Sequence, residues 1–289
     1  MPPSPPSKRP SRKSKKDRHW LKLTLTLLAI PAALALTGVL AVALAVLLAN
    51  DRLPPLDALA EYRPKIPLRV FTADGVLIGE FGEERRSVVR IEDVPAVMKN
   101  AILAAEDASF FEHSGVDMKG IARAALSNFS AGGIQQGAST ITMQLARNFF
   151  LSSERTYIRK IYEILVSFKI EENFSKDQIL EIYINQIFLG KRAWGFASAS
   201  QVYFGKPLAQ VTPAEAAMLA GLPKAPSRFN PIENPKRATE RQRYILRRMR
   251  EFNFLTDAQY QQALEQKLTF GDTANTEFAL KAPYVAELA

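Results

Sequence analysis

The residues best suited to chemistry begin with Glu106 and Asp107, two adjacent acids closing the apolar run Ala101-Ile102-Leu103-Ala104-Ala105 and followed by Phe110, Phe111 and His113. Acids at a helix C-terminus oppose the macrodipole, so a pair there costs stability unless something offsets it. A carboxylate lifted toward neutral pKa by apolar neighbours such as Phe110 can take a proton from a hydroxyl. The plainer alternative is a solvated carboxylate on an exposed helix end. His113 reads as a hydrogen-bonding structural residue rather than a base.

A second cluster runs Gly137-Ala138-Ser139-Thr140-Ile141-Thr142-Met143-Gln144-Leu145-Ala146-Arg147-Asn148. Glycine followed by hydroxyls opens a helix whose free amides can bind an anion. Thr140, Gln144 and Arg147 share one helical face, opposite Ile141, Leu145 and Phe149. That polar stripe is about 10 Å long, the scale of a diphosphate and its sugar. An ordinary capped amphipathic helix reads equally well. A third cluster, Arg155 to Glu163, places Arg159 and Lys160 four and three residues before Glu163, so all three can meet. As a surface salt bridge this is worth only tenths of a kcal/mol; a cationic group with one carboxylate suits a phosphate-bearing substrate better. In Lys176 to Asn185, Glu181 and Asn185 stand one turn apart and could brace the site from behind. A fifth stretch runs from Tyr203-Phe204-Gly205-Lys206 through Leu222-Pro223 to Asn230-Pro231, and reads as fold-determining.

The elements that must position these residues are mostly helical. Helices are expected over about 95–106, 116–129, 139–150, 155–172, 176–187, 193–203, 213–221, 235–252 and 256–267. Ser175-Lys176-Asp177-Gln178 and Thr212-Pro213-Ala214-Glu215 are capping boxes, the second with Pro at the first helical position. Ile66 to Ile91 looks β-like: Val70-Phe71-Thr72 and Val76-Leu77-Ile78 flank the turn signal Asp74-Gly75, and the apolar run Val88-Val89-Arg90-Ile91 follows.

Composition narrows the chemistry. The 289 residues contain no Cys and two His, His19 and His113, which excludes disulfides, thiolate catalysis, Cys-based zinc sites and a His-rich metal cage. No G-x-S-x-G elbow accompanies His113. The net charge of +9 is a property of one end: residues 1–22 carry +7 and the remaining 267 only +2, so nucleic-acid binding by the body is disfavoured. Leu23 to Ala49 is uncharged and rich in Leu, Ala and Val. As a helix it would reach about 40 Å, enough to span a bilayer with tilt. Signal-peptide apolar regions are shorter, about 7–15 residues, which favours an uncleaved anchor. The basic flank places the N-terminus inside and the body outside. The expected order is a basic cytoplasmic tail (1–22), a transmembrane anchor (23–49), a linker (50–65), a catalytic domain (66–252) and a C-terminal helix with the start of a further linker (253–289).

Taken together in this order, the segments E-D-x-x-F-x-x-H-x-G, G-x-S-T-I-T-x-Q-L-x-R-N, R-K-x-x-E, K-x-x-I-L-E-x-Y-x-N and Y-F-G-K to N-P resemble the peptidoglycan glycosyltransferase domain, glycosyltransferase family 51. That domain occurs in class A penicillin-binding proteins and monofunctional transglycosylases. The resemblance implies a mainly α, lysozyme-like, two-lobed fold with a small β element beside the N-terminal transmembrane helix. It implies polymerisation of lipid II into β-1,4 glycan with release of undecaprenyl diphosphate. Glu106 is then the general base and Glu163 the second carboxylate, near the donor diphosphate. Asp107, Ser139, Thr140, Gln144, Arg147, Asn148, Arg155, Arg159, Lys160 and Arg241 are the substrate-binding positions. No cofactor is required, with room for a divalent cation, Mg or Mn, at the diphosphate. The expected partners are lipid II, the growing lipid-linked chain, the cytoplasmic membrane and cell-wall synthesis proteins, with no nucleic acid. Met143 stands where the family usually has Gln, and Arg147 where Lys is usual, which keeps the charge but changes a point ammonium to a planar fork. Segment 118–136 is a candidate for shallow membrane contact, with core packing as the alternative. Neither S-x-x-K nor K-T-G, the transpeptidase signatures, occurs, which favours a shortened bifunctional protein over a monofunctional one with an extended tail. A lytic transglycosylase or muramidase is the competing reading; the Arg155/Arg159/Lys160 group argues against it.

Overall fold

The structure is a computed structural model that describes residues 53–60, 68–74, 77–81, 84–130, 132–133, 137, 139–150 and 157–271, with eight isolated positions between 26 and 40. The chain divides into Met1–Leu53 and Pro54–Ala289. The basic tail, most of the expected anchor, Arg155 and the segment beyond 271 lie outside the described residues. The described positions between 26 and 40 are helical and exposed. Among the described residues, no helix is long and apolar enough to cross a membrane.

The second unit is mainly helical: α1 (Ala96–Glu106), α2 (Met118–Ser130), α3 (Ile141–Phe150), α4 (Tyr157–Asn173), α5 (Lys176–Gln186), α6 (Phe196–Phe204), α7 (Pro213–Ala220), α8 (Pro235–Glu251) and α9 (Asp257–Glu265). Every helix expected from periodicity is present, with ends displaced by a few residues. The two capping boxes form as their sequences require: Ser175 and Gln178 close the start of α5, Thr212 and Glu215 that of α7.

α7 forms the centre of one helical layer. Its residues Ala214 to Ala220 are all buried, and the four alanines among them let α1 and α8 pack directly against it. Met98 and Ile102 of α1, Leu219 of α7 and Ile245, Leu246 and Met249 of α8 are each fully or almost fully excluded from solvent. A second cluster joins α3 to α4 and α5 through Ile141, Leu145, Val166, Ile170 and Ile179. The catalytic-type motifs therefore sit on helices fixed by two apolar cores.

The β element is small. Strands β1 (Leu68–Phe71) and β2 (Leu77–Phe81) pair antiparallel across the expected hairpin. A two-residue pair that periodicity does not signal, β3 (Arg85–Arg86) with β4 (Ala193–Trp194), runs parallel, so α6 starts three residues later than expected. The expected β character of 88–91 is not borne out: Ser87 to Arg90 have no regular structure and Ile91–Asp93 is a short 3-10 turn. Side chains of α5 replace a strand partner there. Asn185 accepts from the Val89 amide at 3.0 Å and donates to its carbonyl at 2.8 Å, and Glu181 accepts from the Ile91 amide at 2.7 Å. Glu181 and Asn185 thus brace this segment. Gly195 (φ +82°) is required where the chain turns into α6, because a Cβ would lie 2.9 Å from the Asn185 carbonyl oxygen.

Candidate active site

Glu106 is the last residue of α1, and Asp107 follows with φ −160°. That break in helical geometry sends the two carboxylates in different directions. Asp107 is buried; its Oδ2 accepts from the Ile141 amide at 3.1 Å, capping α3, and both oxygens lie within 3.1 Å of His113 Nε2. The Asp carboxylate therefore joins the end of α1 to the start of α3 and offsets the α3 dipole. His113 supplies the structural hydrogen bond expected of it.

Glu106 keeps 13% of its side-chain surface. Its Oε2 accepts from Gln144 Nε2 at 2.7 Å, and its Oε1 lies 4.0 Å from Arg241. Burial pushes its pKa above the usual carboxylate range; the Gln144 hydrogen bond and the charges of Arg241, Lys224 and Arg147 oppose that rise without cancelling it. A raised carboxyl pKa at a groove is what a general base working near neutral pH needs.

The groove in front of Glu106 has a volume of about 480 Å³, and its walls include Ser139, Thr140, Gln144, Arg147, Lys224 and Arg241. Asp107 contributes to the same wall. Arg241 comes from α8 and also donates to the Ala105 carbonyl at 3.5 Å. The polar stripe of α3 is only partly groove-facing: Thr140 is buried, donating to the Gly115 carbonyl at 2.5 Å and accepting from the Met143 amide. Gly115 (φ +90°) can approach α4 this closely only without a Cβ, which would stand 3.0 Å from the Ser167 carbonyl oxygen. Met143 is 1% exposed and packs in the core, so its side chain does not face the groove. Asn148 is exposed and is not part of the groove wall.

Glu163 is 1% exposed. It is clamped by Arg159 and by Lys160, the latter at 2.9 Å, and Lys160 also donates to Ser139 at 2.9 Å. The three residues expected to meet do meet, and through Ser139 they touch the groove. Glu163 itself is absent from the groove wall. Both of its oxygens are already occupied by cations, so a divalent ion at Glu163 would have to displace one of them; this donor set does not fit a metal. Among the described residues no group of three or more His, Cys, Asp or Glu side chains is placed to hold one.

Sequence reasoning missed Lys224, Arg248 and Tyr244, which also line the groove. The pKa of Lys224 is lowered by burial and by the nearby Arg241 charge, while Glu106 pulls it back up. Lys224 belongs to the fifth motif, where its neighbours Pro223 and Pro226 looked purely architectural; its lone charge between two prolines was the available signal. Asp117 also lines the groove and caps the start of α2. Burial alone would raise its pKa, but the Gly120 amide at 2.7 Å, the Ser109 hydroxyl at 2.8 Å and nearby positive charge hold it below the usual value.

The family model described as Transglycosylase matches residues 74–250. The chain is 51% identical over 268 residues to penicillin-binding protein 1A of Neisseria flavescens, covering 93% of this chain and 34% of that protein. It is 53% identical over 251 residues to the Neisseria gonorrhoeae protein of the same name, with 87% and 31% covered. It is 49% identical over 240 residues to that of Pseudomonas aeruginosa, with 83% and 29% covered. The chain thus spans about a third of the length of these relatives. The crystal structure of penicillin-binding protein 1A from Haemophilus influenzae aligns with a TM-score of 0.44 at 30% identity, over 78% of this chain and 23% of that one.

Proposed function

The chain belongs to the transglycosylase family, and on that premise we propose that it is a peptidoglycan glycosyltransferase polymerising lipid II into β-1,4-linked glycan at the outer face of the cytoplasmic membrane. The observation that carries this reading is Glu106, a carboxylate with a burial-raised pKa facing a groove that also holds Arg147, Lys224 and Arg241.

Glu106 takes the proton of the acceptor sugar 4-hydroxyl as that oxygen attacks C1 of the lipid-linked donor chain. The C1–oxygen bond to the diphosphate breaks with inversion, and the electron pair leaves on undecaprenyl diphosphate. Arg147, Arg241 and Lys160 are suited to the diphosphate, because charge-assisted bonds to phosphate strengthen as negative charge develops on the leaving group. Ser139 and Gln144 complete the polar wall; Glu163, itself paired with Arg159, holds Lys160 in place. Asp107 acts on substrate only through α3, which it caps. Arg155 and Asn148 remain candidate substrate contacts on the family resemblance alone.

The same reading assigns Leu23 to Ala49 to a membrane-spanning anchor with the basic tail inside, and a lysozyme-like two-lobed arrangement to the catalytic domain. Shallow membrane contact by α2 is supported by Met118, Leu126 and Phe129, which are 69%, 69% and 87% exposed. Cell-wall synthesis proteins are proposed partners.

The test is incubation of the purified chain with labelled lipid II. Wild type is expected to give glycan polymer, and Glu106→Gln to lose about 10²–10⁴-fold in rate. Polymer at a near-normal rate from Glu106→Gln removes the base assignment. Solubilised glycan from mature cell wall, with no lipid II turnover, replaces the reading by a lytic one.

A further inference from the structure

Gln144 stands between two buried groups. Its Nε2 donates to Glu106 Oε2 at 2.7 Å, and its Oε1 accepts from the Tyr183 hydroxyl at 3.4 Å. Tyr183 lies on α5, is 1% exposed, and has its phenol held far from ionisation by burial and by the Glu106 charge. Glu106 Oε1 is buried with no hydrogen-bond partner.

A side-chain amide can present either its N–H or its carbonyl to a neighbour, because the two ends differ little in shape. An ionised Glu106 offers only acceptors, so it needs the N–H end. The opposite orientation sets carbonyl against carboxylate and suits only the protonated acid. The ionised carboxylate therefore selects the N–H orientation, and the Tyr183 hydroxyl, which can donate or accept, reinforces it by donating to Gln144 Oε1.

We propose that Tyr183 is a positioning residue: by donating its hydroxyl to the Gln144 carbonyl it holds the Gln144 amide with N–H toward Glu106 and so favours the ionised carboxylate. That Glu106 serves as the base rests on the function proposed above; the hydrogen-bonded chain itself does not. Other charges acting on Glu106 are Arg241 from α8, Lys224 beyond α7 and Arg147 from α3; the adjacent Asp107 is turned into the cap of α3. None of them contacts the Gln144 amide in a way that sets its orientation.

The experiment titrates Glu106 directly. The whole chain, in detergent micelles and isotope-labelled at glutamate carboxyl carbons, is followed by NMR, with the Glu106 signal identified by its loss in Glu106→Gln. In Tyr183→Phe, which keeps the ring and removes the hydroxyl, the midpoint is expected to rise by about one pH unit. Gln144→Met should do the same, and the double variant should move no further than Gln144→Met alone. An unmoved midpoint in Tyr183→Phe, or an added rise in the double variant, overturns the proposal. Should Tyr183→Phe fail to fold, the wild-type resonance of the Tyr183 hydroxyl-bearing carbon decides: it shifts on Gln144→Met, and no shift refutes the contact. Because the titration needs no turnover, absence of glycan synthesis sinks the functional reading and leaves this one intact. Where synthesis is measured in Tyr183→Phe, the acid limb moves with the midpoint while KM for the lipid substrate stays put.

Discussion

Replacing Glu163 by Gln separates a carboxylate that organises the site from one that reacts. The side chain is 1% exposed and pairs with two cations, Arg159 at 17% and Lys160 at 42% exposure. Breaking a buried ion pair by removing one partner costs about 3–5 kcal/mol, because the remaining charge stays desolvated. Here Lys160 can turn to water, so most of the loss falls on Arg159 and the low end, about 3 kcal/mol, applies. For a domain of this size that corresponds to about 2–4 °C per kcal/mol, or a fall in Tm of about 6–12 °C. The assay is thermal unfolding followed by far-ultraviolet circular dichroism, with Glu163→Gln and Arg159→Gln compared to the double variant Glu163→Gln/Arg159→Gln. The double variant should recover part of the loss, since it removes the cation together with the carboxylate paired with it. A Tm within a degree or so of wild type, or a double variant as unstable as the sum of the singles, refutes the argument that Glu163 acts by anchoring two cations.

The pH–rate profile should lose activity on its acid side above the usual carboxylate range: burial raises the Glu106 pKa, the base must be ionised, and activity falls as pH drops through that raised value. Arg241→Gln removes one of the charges opposing the rise and should move that limb further toward high pH, read from the same profile. Asp107→Ala deletes the cap on α3 and the His113 partner, and should lower stability by about 1–3 kcal/mol in chemical denaturation; Asp107→Asn, which keeps an acceptor, should lose less. Asn185→Ala strips the Val89 amide and carbonyl of their partners, so the Val89 amide should exchange with solvent markedly faster than in wild type.

Much of this molecule is written in short-range patterns. Helix spans follow from an apolar repeat within three or four residues, and the starts of α5 and α7 from caps that act over the same distance, so Ser175 and Thr212 announce their helices wherever these pack. The meeting of Arg159, Lys160 and Glu163 on one helical turn is likewise local, as is the resemblance that singles out Glu106. Tertiary structure decided which face each of these residues shows. Two neighbouring acids divide their work because one φ angle points Asp107 into the cap of α3 and leaves Glu106 at the groove. Arg241, on α8, reaches Glu106 because α1 and α8 pack on each other and on α7. The strand expected near Val89 is absent because Asn185 and Glu181, on a helix far along the chain, supply its hydrogen bonds. Periodicity and capping are set by neighbours a turn away. Burial, pKa and the choice of hydrogen-bond partner are set by whatever the packed helices bring alongside, and no window along the chain contains that.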